Sequence, residues 1–296
     1  MNPALMECII PVASGAADAA LDEVRSLMLD NLRTTTLAPL LEDVGPSFVG
    51  GKMLRARLTL SVGAACLTDR NALLHAAAAV EMVHAASLLH DDVIDEAALR
   101  RGKASFWKKK GVSGAILLGD LLVCRSLQLL EGADDGRLGK LFVRLASEMC
   151  EAEVEQELIA RSDPHDWKLS VSLARRKTGS LFAFAATAAE STDEVRGAAL
   201  LEAGYRIGTA FQLADDMLDA CGKGVADGKD VGKDAPKGKI TAVSAMGGVT
   251  APIRQCMHDC CTTSSGLLAS WPAVKCAWDD YLQTAFSPVI QRFSAA

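Results

Sequence analysis

Apolar side chains recur along this chain at the three- and four-residue spacing of helices that bury one face. Leu21, Val24, Leu27, Met28 and Leu32 form one such stripe. The same period runs through 54–66, 73–90, 115–130, 141–159, 169–189 and 195–218. Strict apolar–polar alternation between turn signals, the mark of a half-buried strand, is missing. The pattern predicts an all-α fold of about ten or more helices with little or no sheet. One stretch breaks the period: 222–239 is rich in glycine and lysine, contains Pro236, and reads as a positively charged loop.

Composition narrows the class. Half of the 296 residues are hydrophobic, enough for one large core, and no low-complexity linker divides them, so a single domain over 1–296 is expected. The net charge of −6 argues against a nucleic-acid partner, which selects a basic face. The most hydrophobic candidate for a membrane span, 114–130, is interrupted by Asp120 and Arg125, and no basic flank precedes an apolar segment near the amino terminus. The nine cysteines are scattered and odd in number, without a Cys-x-x-Cys pair. A cytoplasmic protein with reduced thiols and no stable membrane insertion is the expectation. Cys256, His258, Cys260 and Cys261 are crowded together, but ligands so close on one helix could hardly surround a tetrahedral ion.

The chemistry lies in two acidic clusters. Asp91, Asp92 and Asp95 stand in Leu-Leu-His-Asp-Asp-Val-Ile-Asp; Asp215, Asp216 and Asp219 repeat the spacing in Phe-Gln-Leu-Ala-Asp-Asp-Met-Leu-Asp. At helical spacing the carboxylates of each cluster share a face, where like charges repel. Something positive belongs between them. Carboxylate oxygens are hard ligands, which points to Mg2+, with Mn2+ able to substitute. Two such clusters with magnesium between them suit a strongly anionic substrate. Basic residues follow each cluster: Arg100 and Arg101 after the first, Lys229, Lys233 and Lys239 after the second. Lys52 and Arg55 sit just after Gly50 and Gly51. A diphosphate held by metals on one side and cations on the other becomes a good leaving group.

These residues resemble the trans-isoprenyl diphosphate (polyprenyl) synthases, in order and over most of the chain. The resemblance rests on Gly50-Gly51-Lys52-Met53-Leu54-Arg55, Glu81-x-x-His84, the first aspartate motif, and Arg100-Arg101-Gly102. It continues through Glu153-x-x-Gln156, Lys177-Thr178, Phe211-Gln212 with the second aspartate motif, Gly228-Lys229 and Gly238-Lys239-x-Thr241. It implies an isoprenoid-synthase-type helical bundle with a central cavity. Asp91, Asp95, Asp215 and Asp219 would hold metal, with Asp92 supporting. Arg100, Lys177, Gln212 and Lys229 would grip the allylic diphosphate, and Thr178 and Lys239 are further substrate-binding residues. Gly51, Lys52, Arg55, His84 and Arg101 would hold isopentenyl diphosphate. A homodimer is likewise implied by the family. Val243 departs from the family, standing where many relatives place proline.

Product length is read from the helix of the first cluster. Ala86 and Ser87, about one turn before Asp91, lie beneath the metal site, where short-chain members often place a bulky aromatic. Small residues there predict a product of about thirty to fifty carbons, since each added isoprene needs apolar space. The alternatives are a short-chain synthase, a class I terpene cyclase, a silent subunit of a heteromeric synthase, or a prenyl-lipid carrier. A di-iron bundle fails on counting: it needs a second Glu-x-x-His, and the sequence has one.

Overall fold

The computed structural model describes residues 14–100, 102–133, 136–159, 166–220 and 240–294, and helices occupy most of them. Helix α1 spans Ser14–Arg33, α2 Leu41–Phe48, α3 Leu54–Cys66 and α4 Arg70–Ile94. An antiparallel hairpin follows, β1 Leu99–Arg100 on β2 Lys103–Ala104, with Arg100 opposite Lys103. Next come α5 Phe106–Glu131, α6 Arg137–Leu158, α7 Trp167–Ala174, α8 Ser180–Ala188 and α9 Glu194–Ala220. The carboxyl-terminal part is α10 Ala242–Ala245, α11 Ala251–Gly266, α12 Pro272–Tyr281 and α13 Ser287–Ser294. The loop 222–239, with Lys229, Lys233 and Lys239, lies outside the described residues, as does Arg101.

Helix α4 is central. Asp69 caps it by accepting the Ala72 N–H at 2.9 Å. Ala76, Ala77, Ala78, Ala79, Val80 and Met82 are all fully buried, as in a helix with protein on every side. Their small size lets α1, α5 and α8 approach closely. Leu21, Val24 and Met28 of α1 and Leu122 of α5 belong to this core, as do Phe142 of α6 and Phe184 of α8, packed edge to face at 5.2 Å. A second cluster joins α3, α8, α9, α11 and α12 through Leu58, Phe182, Ile207, Ile253 and Trp278.

Two local features set the site. The α8–α9 crossing is made by glycine. A Cβ on Gly204 would lie 2.6 Å from the Ala183 Cα, and one on Gly208 2.5 Å from the Gly179 Cα. Backbone meets backbone there, so no larger residue fits. The second feature is a pair of π-turns, Arg175–Gly179 between α7 and α8 and Leu282–Phe286 between α12 and α13. Such turns rotate the following residues off the α-helical register.

The sequence reading found no apolar run fit to span a bilayer. In the structure α4 and α5 are long and apolar enough to do so by length and composition, with mean hydropathies of 1.5 and 1.4 over their most apolar windows. Alanine and single embedded charges hide that length from inspection of the sequence. Helix α4 has 72% of its window buried inside the protein, which is the position of a core helix; α5 has 33%.

Candidate active site

In the first cluster the three aspartates divide their roles. Asp91 and Asp95, four residues apart, share a face and are half-buried. Asp92 is turned inward and only 2% exposed. There its carboxylate accepts from Arg100, with Nε at 2.8 and 2.9 Å from the two oxygens and Nη2 at 2.7 Å. The hairpin makes this reach possible: β1 runs back beside the end of α4, Gly102 turns it with φ +72°, and the Asp92 carbonyl receives the Ala97 N–H at 2.9 Å. Arg100, expected at the allylic diphosphate, is thus held in place by the middle aspartate. Burial pushes the Asp91 carboxyl up to about 6, and Glu153 and Asp95 add to the rise while Lys177 and Arg100 oppose it.

The second cluster repeats the division. Asp215 and Asp219 are half-buried on one side of α9, and Asp216 is 8% exposed. Asp216 accepts from Gln212 Nε2 at 2.8 Å and from the Ala242 N–H at 2.7 Å, which anchors the start of α10. In both motifs the middle carboxylate is satisfied by protein, and the outer pair is left partly exposed.

The π-turn Arg175–Gly179 joins the two clusters. Lys177 lies in the field of Asp91, pairs with Glu153, and donates to Gln156 Oε1 at 3.2 Å. The next residue, Thr178, donates to Gln212 Oε1 at 2.6 Å. Consecutive residues therefore touch the surroundings of the first cluster and the anchor of the second. Gln156, Lys177, Gln212, Asp216 and Ile240 line a small cavity between them, about 20 Å³, room for one water. Glu153-x-x-Gln156, only a weak signature in the sequence, acts here as the cradle of Lys177; Gln156 also donates to the Ile240 carbonyl at 3.1 Å. Arg176 pairs with Glu155 at 2.6 Å, and Arg175 pairs with Glu202 while its guanidinium lies 4.1 Å from the centre of the Tyr205 ring.

The Gly-Gly-Lys-Met-Leu-Arg segment forms a tight turn into α3. Gly51 has φ +120° and Met53 φ +48°; the latter is costly for a residue with a Cβ and is of the kind that collects at functional sites. Lys52 is exposed, whereas Arg55 is 6% exposed and lies 4.6 Å above the Phe182 ring. Its Nε has no hydrogen-bond partner. Burial lowers the proton affinity of this guanidinium, and Glu81 alongside opposes that. His84 lies on α4 two turns before Asp91 and is half-buried; its carbonyl receives the Ser87 hydroxyl at 2.9 Å. Ala86 is fully buried in the core.

The donor set fits a hard divalent cation. Each outer pair offers half-buried carboxylate oxygens, and Asp91 sits where its charge is penalised, so a cation relieves it. Among the described residues no three His, Cys, Asp or Glu side chains already converge on one point. An ion held here would complete its shell with water or with oxygens of an anionic substrate, as magnesium sites do. In α11 Cys260 is buried, and Cys256 and Cys261 are half-buried.

The fold is shared with known proteins. The chain is 32% identical over 231 residues to octaprenyl diphosphate synthase of Haemophilus influenzae, covering 76% of this chain and 69% of the relative. It is 35% identical over 207 residues to geranylgeranyl diphosphate synthase of Rhodobacter capsulatus, covering 68% and 71%. The crystal structure of a Caulobacter crescentus polyprenyl synthase complexed with calcium and isoprenyl diphosphate superposes with a TM-score of 0.69, at 28% identity and 94% of each chain. The matched stretch spans 60–69% of the length of the first curated relatives. The sequence profile described as polyprenyl synthetase matches residues 38–258, and with 32% identity to the Haemophilus enzyme over three quarters of the sequence, the chain belongs to the polyprenyl synthetase family.

Proposed function

We propose that this chain, as one domain over 1–296, is a trans-polyprenyl diphosphate synthase that joins isopentenyl diphosphate to an allylic diphosphate in 1'-4 fashion. The observation that carries the reading is the paired division of the aspartate motifs. Each outer pair is half-buried, each middle aspartate holds protein, and the adjacent Lys177 and Thr178 reach the surroundings of the first cluster and the anchor of the second. Asp91, Asp95, Asp215 and Asp219 would hold Mg2+, which when bound neutralises charge on the departing diphosphate. Lys177 and Arg100, each fixed by a carboxylate, would present cations to the allylic diphosphate without rearranging as charge develops. Gln212 and Thr178, with Lys229 and Lys239 from outside the described residues, complete the substrate contacts; Gly51, Lys52, Arg55 and His84, with Arg101 from outside the described residues, would take isopentenyl diphosphate. Ionisation leaves an allylic cation, the isopentenyl double bond attacks it, and the departing diphosphate takes the proton.

Ala86 and Ser87 support a product of about thirty to fifty carbons, because growth along α4 needs apolar volume. The Haemophilus relative is an octaprenyl synthase and the Rhodobacter one a geranylgeranyl synthase, so relatives fall both within this range and below it. We place the protein in the cytoplasm, with α4 as a core helix. We read it as a homodimer, and Ile116 and Leu117 of α5 and Val143 of α6 are exposed apolar residues that a second copy would cover. The test is to incubate the pure protein with magnesium, farnesyl diphosphate and labelled isopentenyl diphosphate and to size the products. Linear elongation supports the reading; cyclic hydrocarbon without incorporation, or no turnover, overturns it. Asp91→Ala and Asp215→Ala should each lower turnover by roughly a hundredfold or more, the scale of losing a preorganised electrostatic contact.

A further inference from the structure

Tyr281 and Phe286 stand at the carboxyl-terminal end, far in sequence from every motif of the family. They nevertheless close a chain of contacts onto the turn that carries Arg55. Tyr281, 2% exposed, donates its hydroxyl to the Leu54 carbonyl at 3.1 Å. Its ring centre is 6.1 Å from that of Phe286. Phe286, fully buried, packs edge to face on Phe182 at 5.9 Å and tilted on Phe211 at 6.3 Å. Phe182 in turn carries the Arg55 guanidinium on its face, 4.6 Å from the ring centre, and touches Phe211 at 5.8 Å.

The π-turn Leu282–Phe286 is what makes this possible. In an α-helix a residue five places on lies roughly 140° round from the first, so Tyr281 and Phe286 would point apart. A turn closed by i→i+5 bonds returns the fifth residue to nearly the same side. Such turns recur at functional sites, and this one serves no other contact in the mechanism above. Meanwhile Arg55 is a buried cation whose Nε is unpartnered and whose Phe182 platform fixes the plane of its guanidinium.

We propose that Tyr281 and Phe286 are positioning residues for the isopentenyl diphosphate side of the site, acting on Arg55 through Leu54 and Phe182. The proposal rests on the reading of Arg55 as a partner of that diphosphate. Tyr281 fixes the backbone from which Arg55 departs, and Phe286 fixes the ring on which it lies. On the allylic side Lys177 and Gln212 are held by Glu153 and Thr178; Phe286 approaches that side through Phe211, the residue before Gln212, so Tyr281→Phe is the cleaner of the two tests.

The test compares wild type with Tyr281→Phe, Phe286→Leu and Arg55→Lys, each verified as folded by thermal unfolding. Equilibrium binding of isopentenyl diphosphate is measured by calorimetry, and KM for each substrate by turnover. Tyr281→Phe removes one hydrogen bond and keeps the ring, so it should weaken isopentenyl diphosphate roughly three- to tenfold and leave the allylic KM within twofold. Phe286→Leu should do the same or more. Unchanged isopentenyl affinity in folded Tyr281→Phe and Phe286→Leu, or equal losses for both substrates, overturns the proposal. Arg55→Lys separates the two claims: if it weakens isopentenyl diphosphate while the other two do not, only the positioning role fails. If Arg55→Lys has no effect either, the reading of the diphosphate subsite fails with it.

Discussion

Replacing Gly208 by alanine tests the link between helix packing and the site. A Cβ there would stand 2.5 Å from the Gly179 Cα, 3.0 Å from the Gly179 nitrogen and 3.1 Å from Phe182 Cδ2. Carbon atoms rest at about 3.5–4.0 Å, so α9 must move roughly 1 Å from the π-turn. The obstacle is backbone and cannot swing aside, which places the cost near the top of the usual overpacking range, about 3 kcal/mol. Losing the 2.6 Å bond from Thr178 to Gln212 adds about 1 kcal/mol. Alanine's better helix propensity returns about 1 kcal/mol. The net is destabilisation of about 3 kcal/mol, or a Tm lower by roughly 5 °C for a chain of this size. Turnover should fall further than stability explains, because displacing a positioned group by about 1 Å can cost a hundredfold. The control is Gly197→Ala in the same helix, whose new Cβ would meet nothing nearer than Glu190 Cγ at 3.7 Å. There the propensity gain stands alone and Tm should hold or rise. Differential scanning calorimetry and product formation on both variants decide the matter. A Gly208→Ala protein as stable and as active as Gly197→Ala would refute the claim that this crossing sets the site.

Three further outcomes are expected. Ser87→Phe should shorten the products seen by thin-layer or mass analysis, and an unchanged length would sink the assignment of the growing chain to this face of α4. Glu190, buried at 3% exposure, is held down to about 2 against the cost of its burial by Arg196 and the Thr192 and Asp193 N–H groups. A lowered carboxyl stabilises the fold above its unfolded value near 4.5 and loses that stabilisation as pH falls toward 2. Glu190→Gln should therefore cost about 2–3 kcal/mol by urea unfolding at pH 7 and progressively less in acid; a constant difference across pH contradicts the charge-based account. The Cys256 thiol is lowered to about 7 by the neighbouring Cys260 thiol. Its alkylation by iodoacetamide, followed by peptide mass, should rise through pH 7; a rise only near the ordinary thiol range of about 8.5 counts against that contact.

The helices and the acidic motifs were readable because both depend on local spacing. Periodic apolar residues fix which face of α4 and α9 turns inward, and the four-residue interval puts Asp91 with Asp95 and Asp215 with Asp219 on one side. The same interval places Asp92 and Asp216 about 100° away, which is why they are buried while the outer pairs are not. What each middle aspartate would hold was not readable. Arg100 reaches Asp92 only because a two-strand hairpin folds back on the helix end, and Ala242 reaches Asp216 across 26 residues. Glu153 and Gln156 likewise gained a role only when α6 was laid beside the π-turn.

The π-turns show most clearly where local pattern ends. Neither Arg175-Arg176-Lys177-Thr178-Gly179 nor Leu282-Gln283-Thr284-Ala285-Phe286 carries a local signal that marks a π-turn, so an α-helical register is the natural reading of both. The extra residue in each turn is held by tertiary contacts. In the first, Gly179 packs on Gly208 while Lys177 and Thr178 are drawn to opposite sides by Glu153 and Gln212. In the second, Tyr281 and Phe286 are drawn to the same side by Leu54 and Phe182. Both turns thus flank Phe182 and Phe211, one directing Lys177 and the other bracing Arg55, the cations we propose for the allylic and isopentenyl sides. On that proposal, a register shift that costs local hydrogen-bond geometry is retained at two places because each sets the direction of a side chain that a regular helix would aim elsewhere.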